Sequence, residues 1–109
     1  MDKIVKLKER NFVDSDNDIM APMNVEDAID NYDRVLEIVG DLAANVLEVN
    51  AEDVDHEGPH VIDNAIVYAK GTQKNHEVLR DAGLYGMSLP RKYKGLNFPY
   101  VPYVMAAEI

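Results

Sequence analysis

The sequence predicts an all-α chain, a small domain of three or four helices, and three observations predict it. A long apolar stripe with steps of three and four begins at Asn24, a Gly-terminated helical segment ends at Gly83, and helical spacing resumes at Tyr100. At 109 residues there is room for one domain, whose lone core buries about two thirds of its unfolded surface and is therefore only marginally stable. Hydrophobic residues at 47% and charged residues at 28% are enough for it to fold despite a net charge of -9.

Residues 1–20 read as a charged N-terminal arm or a short helix. Lys3, Lys6, Lys8 and Arg10 precede Asp14-Ser15-Asp16-Asn17-Asp18, and Ala21-Pro22 then breaks regular structure. From Asn24, the positions Val25, Ile29, Tyr32, Leu36, Val39, Ala43, Val46 and Val49 place an apolar stripe on one helix of about 25 residues, about 38 Å long. Asn24 is the expected N-cap, and Glu26 and Asp27 put negative charge in the first turn, where it favours the helix dipole. Gly40 inside this helix costs about 1 kcal/mol relative to Ala, which predicts a bend or the close approach of another helix.

Between Asn50 and Lys70 the pattern predicts a solvated connector, including the acidic run Glu52-Asp53-Val54-Asp55. Short extended pieces, Val61-Ile62 and Ile66-Val67, flank Asp63-Asn64. The next helix is expected from Gly71-Thr72, with Thr72 as cap and Val78, Leu79 and Ala82 as apolar edge. Gly83 ends it, with Leu84 placed to pack back on Leu79. After a turn-rich stretch from Pro90 to Pro99, the residues Val101, Val104, Met105 and Ile109 resume helical spacing, and Pro102 is tolerated in the first turn. No cap, Gly or basic last turn marks a stop at Ile109, so the helix is expected to be cut in its middle. Its uncovered apolar face predicts self-association, a homo-oligomer.

Twenty acidic against eleven basic residues would repel phosphate backbones, so nucleic acid is not an expected partner. The absence of cysteine excludes disulfides and thiolate metal sites. The first residues lack a signal peptide's apolar run and nothing approaches membrane-spanning length, so a cytoplasmic protein with no membrane partner is expected.

Several constellations invite chemical readings. His56-Glu57-Gly58-Pro59-His60 matches the HExxH pattern of zinc hydrolases, in which two His one helical turn apart bind the metal and Glu activates water. That geometry needs a helix, and Gly58 and Pro59 cost about 1 and 3 kcal/mol inside one, so a solvated loop is expected instead. Asp14, Asp16 and Asp18 begin like a calcium loop, but Ile19 and Val25 stand where it needs Gly and Glu. His76 is expected to be a surface or packing residue, and Tyr85, Tyr93, Tyr100 and Tyr103 to fill seams between helices.

The run Leu79-Arg80-Asp81-Ala82-Gly83-Leu84-Tyr85-Gly86-Met87-Ser88-Leu89-Pro90-Arg91-Lys92-Tyr93-Lys94-Gly95-Leu96-Asn97-Phe98-Pro99 resembles the acyl-CoA dehydrogenases. Members of that family carry a helix ending in Ala-Gly, an apolar Gly-containing stretch running into Pro, a Tyr-Gly-Gly turn, a Pro opening the next helix and a Glu within it, the place held here by Glu108. The resemblance covers roughly residues 71–109 and weakens over 33–70, where Asn64 before Ile66-Val67 resembles the family's short extended excursion. The chain departs from the pattern at Lys94-Gly95, where two glycines are usual. A left-handed backbone at Lys94 would cost roughly 1 kcal/mol.

The resemblance implies that residues 21–109 are part of an N-terminal helical domain, the truncated start of an enzyme that also has a middle β domain and a C-terminal bundle. It implies an FAD-dependent oxidoreductase that converts acyl-CoA to enoyl-CoA and passes electrons to an electron-transfer flavoprotein. A carboxylate takes the α proton while hydride leaves the β carbon for the flavin. That carboxylate and the flavin contacts belong to segments beyond Ile109. No catalytic, cofactor-binding or metal residue is therefore assigned within 1–109, and the chain alone is expected to be an inactive scaffold. The alternative is a free-standing helical interaction module, with a zinc hydrolase built on His56, Glu57 and His60 as a remote third.

Overall fold

The computed structural model describes residues 1–109. The chain is mostly helical with one small two-stranded sheet, which corrects the all-α expectation. It divides into two units, Met1–Gly40 with Gly86–Ile109, and Asp41–Tyr85. No helix is long and apolar enough to cross a membrane.

In the first unit, α1 (Asp2–Lys8) is followed by a tight turn at Arg10–Phe12 whose three residues all have positive φ, 50°, 56° and 63°. The charged opening segment thus takes the short-helix form, and Val5 and Glu9, one turn apart, face inward and are buried. Helix α2 (Val25–Leu42) starts as its sequence predicts. The Asn24 side chain accepts a hydrogen bond from Asp27 N–H at 2.9 Å, and the Asp27 carboxylate accepts one from Met23 N–H at 2.9 Å. The helix supplies Tyr32 and Val39 of its stripe, and Ala28 beside it, to a core that also holds Val5, Met87 and Phe98. The Tyr32 and Phe98 rings meet edge to face, 4.6 Å between centroids.

The segment from Gly86 to Phe98 closes on itself through its backbone. Leu96 N–H donates to Gly86 C=O (3.0 Å), Asn97 N–H to Leu89 C=O (2.9 Å) and Phe98 N–H to Met87 C=O (2.8 Å). Gly95 permits this closure, since a Cβ there would collide with the Leu89 carbonyl group. Lys94, at φ 64° and ψ 23°, takes the left-handed conformation whose cost its side chain implies. Helix α5 (Tyr100–Glu108) opens with Pro99 at the N-cap and a buried Pro102 in its first turn.

In the second unit, a π-helical turn (Ala43–Leu47) leads from α2 directly into α3 (Glu48–Glu57). The acidic run therefore lies on a helix instead of in a connector. No Gly or Pro interrupts residues 41–57, and the first breaker is Gly58 (φ 60°) followed by Pro59. The wider π turn rotates the apolar stripe, which is why Val49 is exposed. Strands β1 (His60–Ile62) and β2 (Ala65–Val67) pair antiparallel, with Val61 opposite Ile66, across the turn Asp63-Asn64. Both turn residues have positive φ (51° and 60°), as a two-residue hairpin requires.

Helix α4 (Lys70–Asp81) begins three residues earlier than a cap at Thr72 implies. Ala69 occupies the cap position, and the Glu57 carboxylate accepts from Lys70 N–H at 3.1 Å, meeting a donor at the helix start from outside. Gly83 (φ 74°) follows its end, and Gly83 N–H donates to Arg80 C=O at 2.9 Å, the inner bond of the expected ending. Helices α3 and α4 meet where Gly71 faces Val54 and Asn50. Beside it, Asn50 and Asn75 exchange amide hydrogen bonds of 2.7 and 3.1 Å.

Gly40 sits in open space, with no neighbour within 4 Å of an added Cβ, so the close approach predicted there is not made. Gly40→Ala is therefore expected to raise unfolding free energy by up to about 1 kcal/mol in urea titrations. Gly71→Ala is expected to lower it by about 1–3 kcal/mol, because the new methyl group overlaps the Val54 side chain.

Candidate functional site

The chemically distinctive place in the chain is the buried pair Glu9–Arg91. Arg91 Nη1 donates to Glu9 Oε2 at 2.6 Å and Nη2 to Oε1 at 2.9 Å, a two-pronged contact with side chains 9% and 1% exposed. Glu9 is positioned by the last turn of α1, and Arg91 by the short 3-10 turn Arg91–Tyr93 that follows Pro90. Asn97, itself left-handed at φ 58°, adds Nδ2 contacts of 3.3 Å to Glu9 Oε1 and to the Lys8 carbonyl. Lys8 Nζ reaches the Ser88 carbonyl at 3.3 Å. Burial by itself would depress the Arg91 pKa. The hydrogen bond and charge of Glu9, helped by Asp18 and Asp14, overcome that and raise it, so the guanidinium stays charged.

Tyr32 lies beside this pair. Burial, reinforced by the Glu9 charge and opposed by Arg91, pushes its phenol pKa up to about 12. The Tyr32 hydroxyl and Arg91 Nε are both buried without a hydrogen-bond partner. Both residues line a cavity of about 470 Å³ whose walls include Ala21, Pro22, Val35, Leu96 and Phe98. Its ionic lining is balanced, Glu9, Asp18 and Asp27 against Arg34, Arg91 and Lys94. A wider groove of about 920 Å³ contains Lys8, Arg10, Arg91 and Lys92. Three of those cations are already engaged, by the Ser88 carbonyl, Asp14 and Glu9.

The residues singled out in the sequence lie elsewhere. His56 is in the last turn of α3 and His60 opens β1, with Gly58 ending the helix between them, so the two imidazoles do not share a helical face. No group of three or more His, Asp or Glu side chains is arranged to hold a metal ion. Asp14 instead pairs with Arg10 at 2.7 Å, and Asp18 accepts from Met20 N–H at 2.9 Å. His76 Nδ1 bonds the Tyr85 hydroxyl on the unit's surface. The tyrosines expected in seams, Tyr85, Tyr93, Tyr100 and Tyr103, are exposed; the ring that fills the core is Tyr32. Glu9 and Arg91 were hidden in the sequence by their separation of 82 residues. The available signal was Glu9 one turn from apolar Val5, on the same helix face.

Replacing Arg91 by Met is expected to cost about 3–5 kcal/mol in chemical denaturation, because it strands the Glu9 carboxylate without its partner. Above pH 10 an unfolded tyrosine loses its proton while folded Tyr32 keeps it until about pH 12. The folded state then binds more protons than the unfolded one, so stability falls as pH rises from 10 to 12. Phenolate absorbance should show one of the six tyrosines ionising late, and Tyr32→Phe should remove that late step. Comparison with known protein families, curated proteins and solved structures finds no match to the chain.

Proposed function

We propose that the chain is the opening helical portion of a flavin-dependent acyl-CoA dehydrogenase and that it supplies scaffold in place of chemistry. The observation that carries the reading is the backbone of residues 83–99, where Gly83, Gly95 and Pro99 of the resemblance each have a conformational task. Gly83 follows the end of α4 at φ 74°, Gly95 allows the loop to close against Leu89, and Pro99 occupies the N-cap of α5, which includes Glu108. At the point of departure, Lys94 holds the left-handed conformation that a glycine would adopt without strain.

The parent enzyme of this proposal oxidises acyl-CoA to enoyl-CoA with FAD and hands electrons to an electron-transfer flavoprotein. The residues of 1–109 do not by themselves fit FAD. The cavity beside Tyr32 is lined by equal numbers of carboxylates and cations, with no excess positive charge to hold a pyrophosphate. In the proposed parent enzyme the flavin contacts lie in other segments.

A second reading, a helical interaction module, is favoured by exposed apolar side chains on α5 and the hairpin, including Val61, Ile66, Tyr100 and Val104. One experiment separates the two. Protein expressed with the coding sequence that continues past Ile109 is expected to be yellow and to bleach on addition of acyl-CoA, while the 109-residue chain stays colourless. A colourless extended protein, or a gene that stops at Ile109, would favour the module. Light scattering is expected to show self-association, and a monomer at every concentration would count against the oligomer.

A further inference from the structure

We propose that the outer edge of β2 (Ala65–Val67) binds a basic, extended peptide of another protein, which adds to the hairpin as a third strand. This goes beyond the proposed parentage and does not rest on it. In a two-residue hairpin the residues flanking the turn, here Ile62 and Ala65, exchange hydrogen bonds, and the next pair, Val61 and Ile66, points its N–H and C=O groups outward. Neither residue's backbone finds a partner elsewhere in the chain. Both strands are therefore edges, and neither contains a Lys, Asp, Glu or Pro of the kind that blunts an edge.

The two edges are not equivalent. On β1 the next outward position toward the base of the hairpin is Pro59, which has no N–H to donate. On β2 it is Tyr68, whose carbonyl is held by Gln73 Nε2 at 2.8 Å and whose N–H has no partner. Ile66 and Tyr68 share a face with Val61, and the three are 69%, 55% and 75% exposed, so an added strand buries apolar surface as well as pairing backbone. Charge selects the peptide. No Lys or Arg occurs from Asp41 to Ala69, while Glu48, Glu52, Asp53, Asp55 and Glu57 on α3 and Asp63 in the turn are exposed and belong to no ion pair. A second copy of the chain would bring the same negative surface to the edge, so a cationic strand is favoured over self-pairing. The occupant is thus a segment in which Lys or Arg alternates with apolar residues.

Amide hydrogen exchange of the isotope-labelled 109-residue chain, followed by nuclear magnetic resonance, tests this. The probe is a capped heptapeptide of alternating Lys and Val, with the alternating Glu and Val peptide and a fully N-methylated copy of the probe as controls. The Lys peptide is expected to slow exchange at Ile66 about tenfold or more and to leave Val61, on the opposite edge, unchanged. Neither control is expected to bind, the first because of its charge and the second because it cannot donate to the edge. Ile66→Lys places a cation on the exposed edge without touching the β1–β2 backbone pairs, so it is expected to keep the Tm and to weaken binding of the Lys peptide about tenfold or more. The proposal is overturned if exchange at Ile66 is unchanged at the highest soluble peptide concentration, if either control protects it as well, or if Ile66→Lys binds equally. Protection of Ile66 that rises with protein concentration in the absence of peptide overturns it too, because a second copy then fills the edge.

Discussion

The buried contact between Glu9 and Arg91 organises the unit formed by residues 1–40 and 86–109. An isolated carboxylate with 1% exposure would be strongly unfavourable, so α1 can bury Glu9 only where a guanidinium meets both of its oxygens. That requirement ties the first turns of the chain to a loop more than 80 residues later and sets the register between them. Asn97 and Lys8 add contacts around the pair, so α1 and the 86–98 loop depend on one another.

Backbone strain is concentrated around the same contact. Of the seven non-glycine residues with positive φ, Arg10, Asn11 and Phe12 follow Glu9 directly, and Lys94 and Asn97 share a loop with Arg91. Each left-handed residue costs roughly 1–2 kcal/mol, and Asn pays least because its side chain makes local or nearby bonds. Asn97 illustrates the compensation, since the conformation that costs backbone energy accompanies its contacts with Glu9 and Lys8. The turn at Arg10–Phe12 is tighter compensation still. It ends the helical run immediately after the buried carboxylate, and Arg10 pairs with Asp14 at the surface.

Features governed by local chemistry were legible in the sequence, and those governed by distant contacts were not. The Asn24 cap, the end of α4 at Gly83 and the extended pieces around Asp63-Asn64 depend on the conformational limits of a few adjacent residues. The acidic segment 50–57 reads by composition as a solvated connector, whereas a helix with exposed carboxylates is equally solvated and meets no breaker before Gly58. Thr72 lost the cap position for a tertiary reason, since the Glu57 side chain reaches Lys70 N–H from another helix. The exposed tyrosines show the same limit: ring size suggests burial, but neighbouring surfaces decide it. In the candidate site only Tyr32 was visible, as part of an apolar stripe. Nothing local distinguishes its unpaired hydroxyl from that of an ordinary core tyrosine.

The contrast between the pair and its surroundings bears on stability. A purely structural ion pair gains most when every donor around it finds an acceptor, because each buried unsatisfied group costs about 1–3 kcal/mol. Around Glu9 both carboxylate oxygens are engaged, yet Arg91 Nε and the Tyr32 hydroxyl are buried without a partner. Replacing Tyr32 by Phe would preserve the ring contact with Phe98 and abolish one of those costs. The hydroxyl is therefore not required by packing.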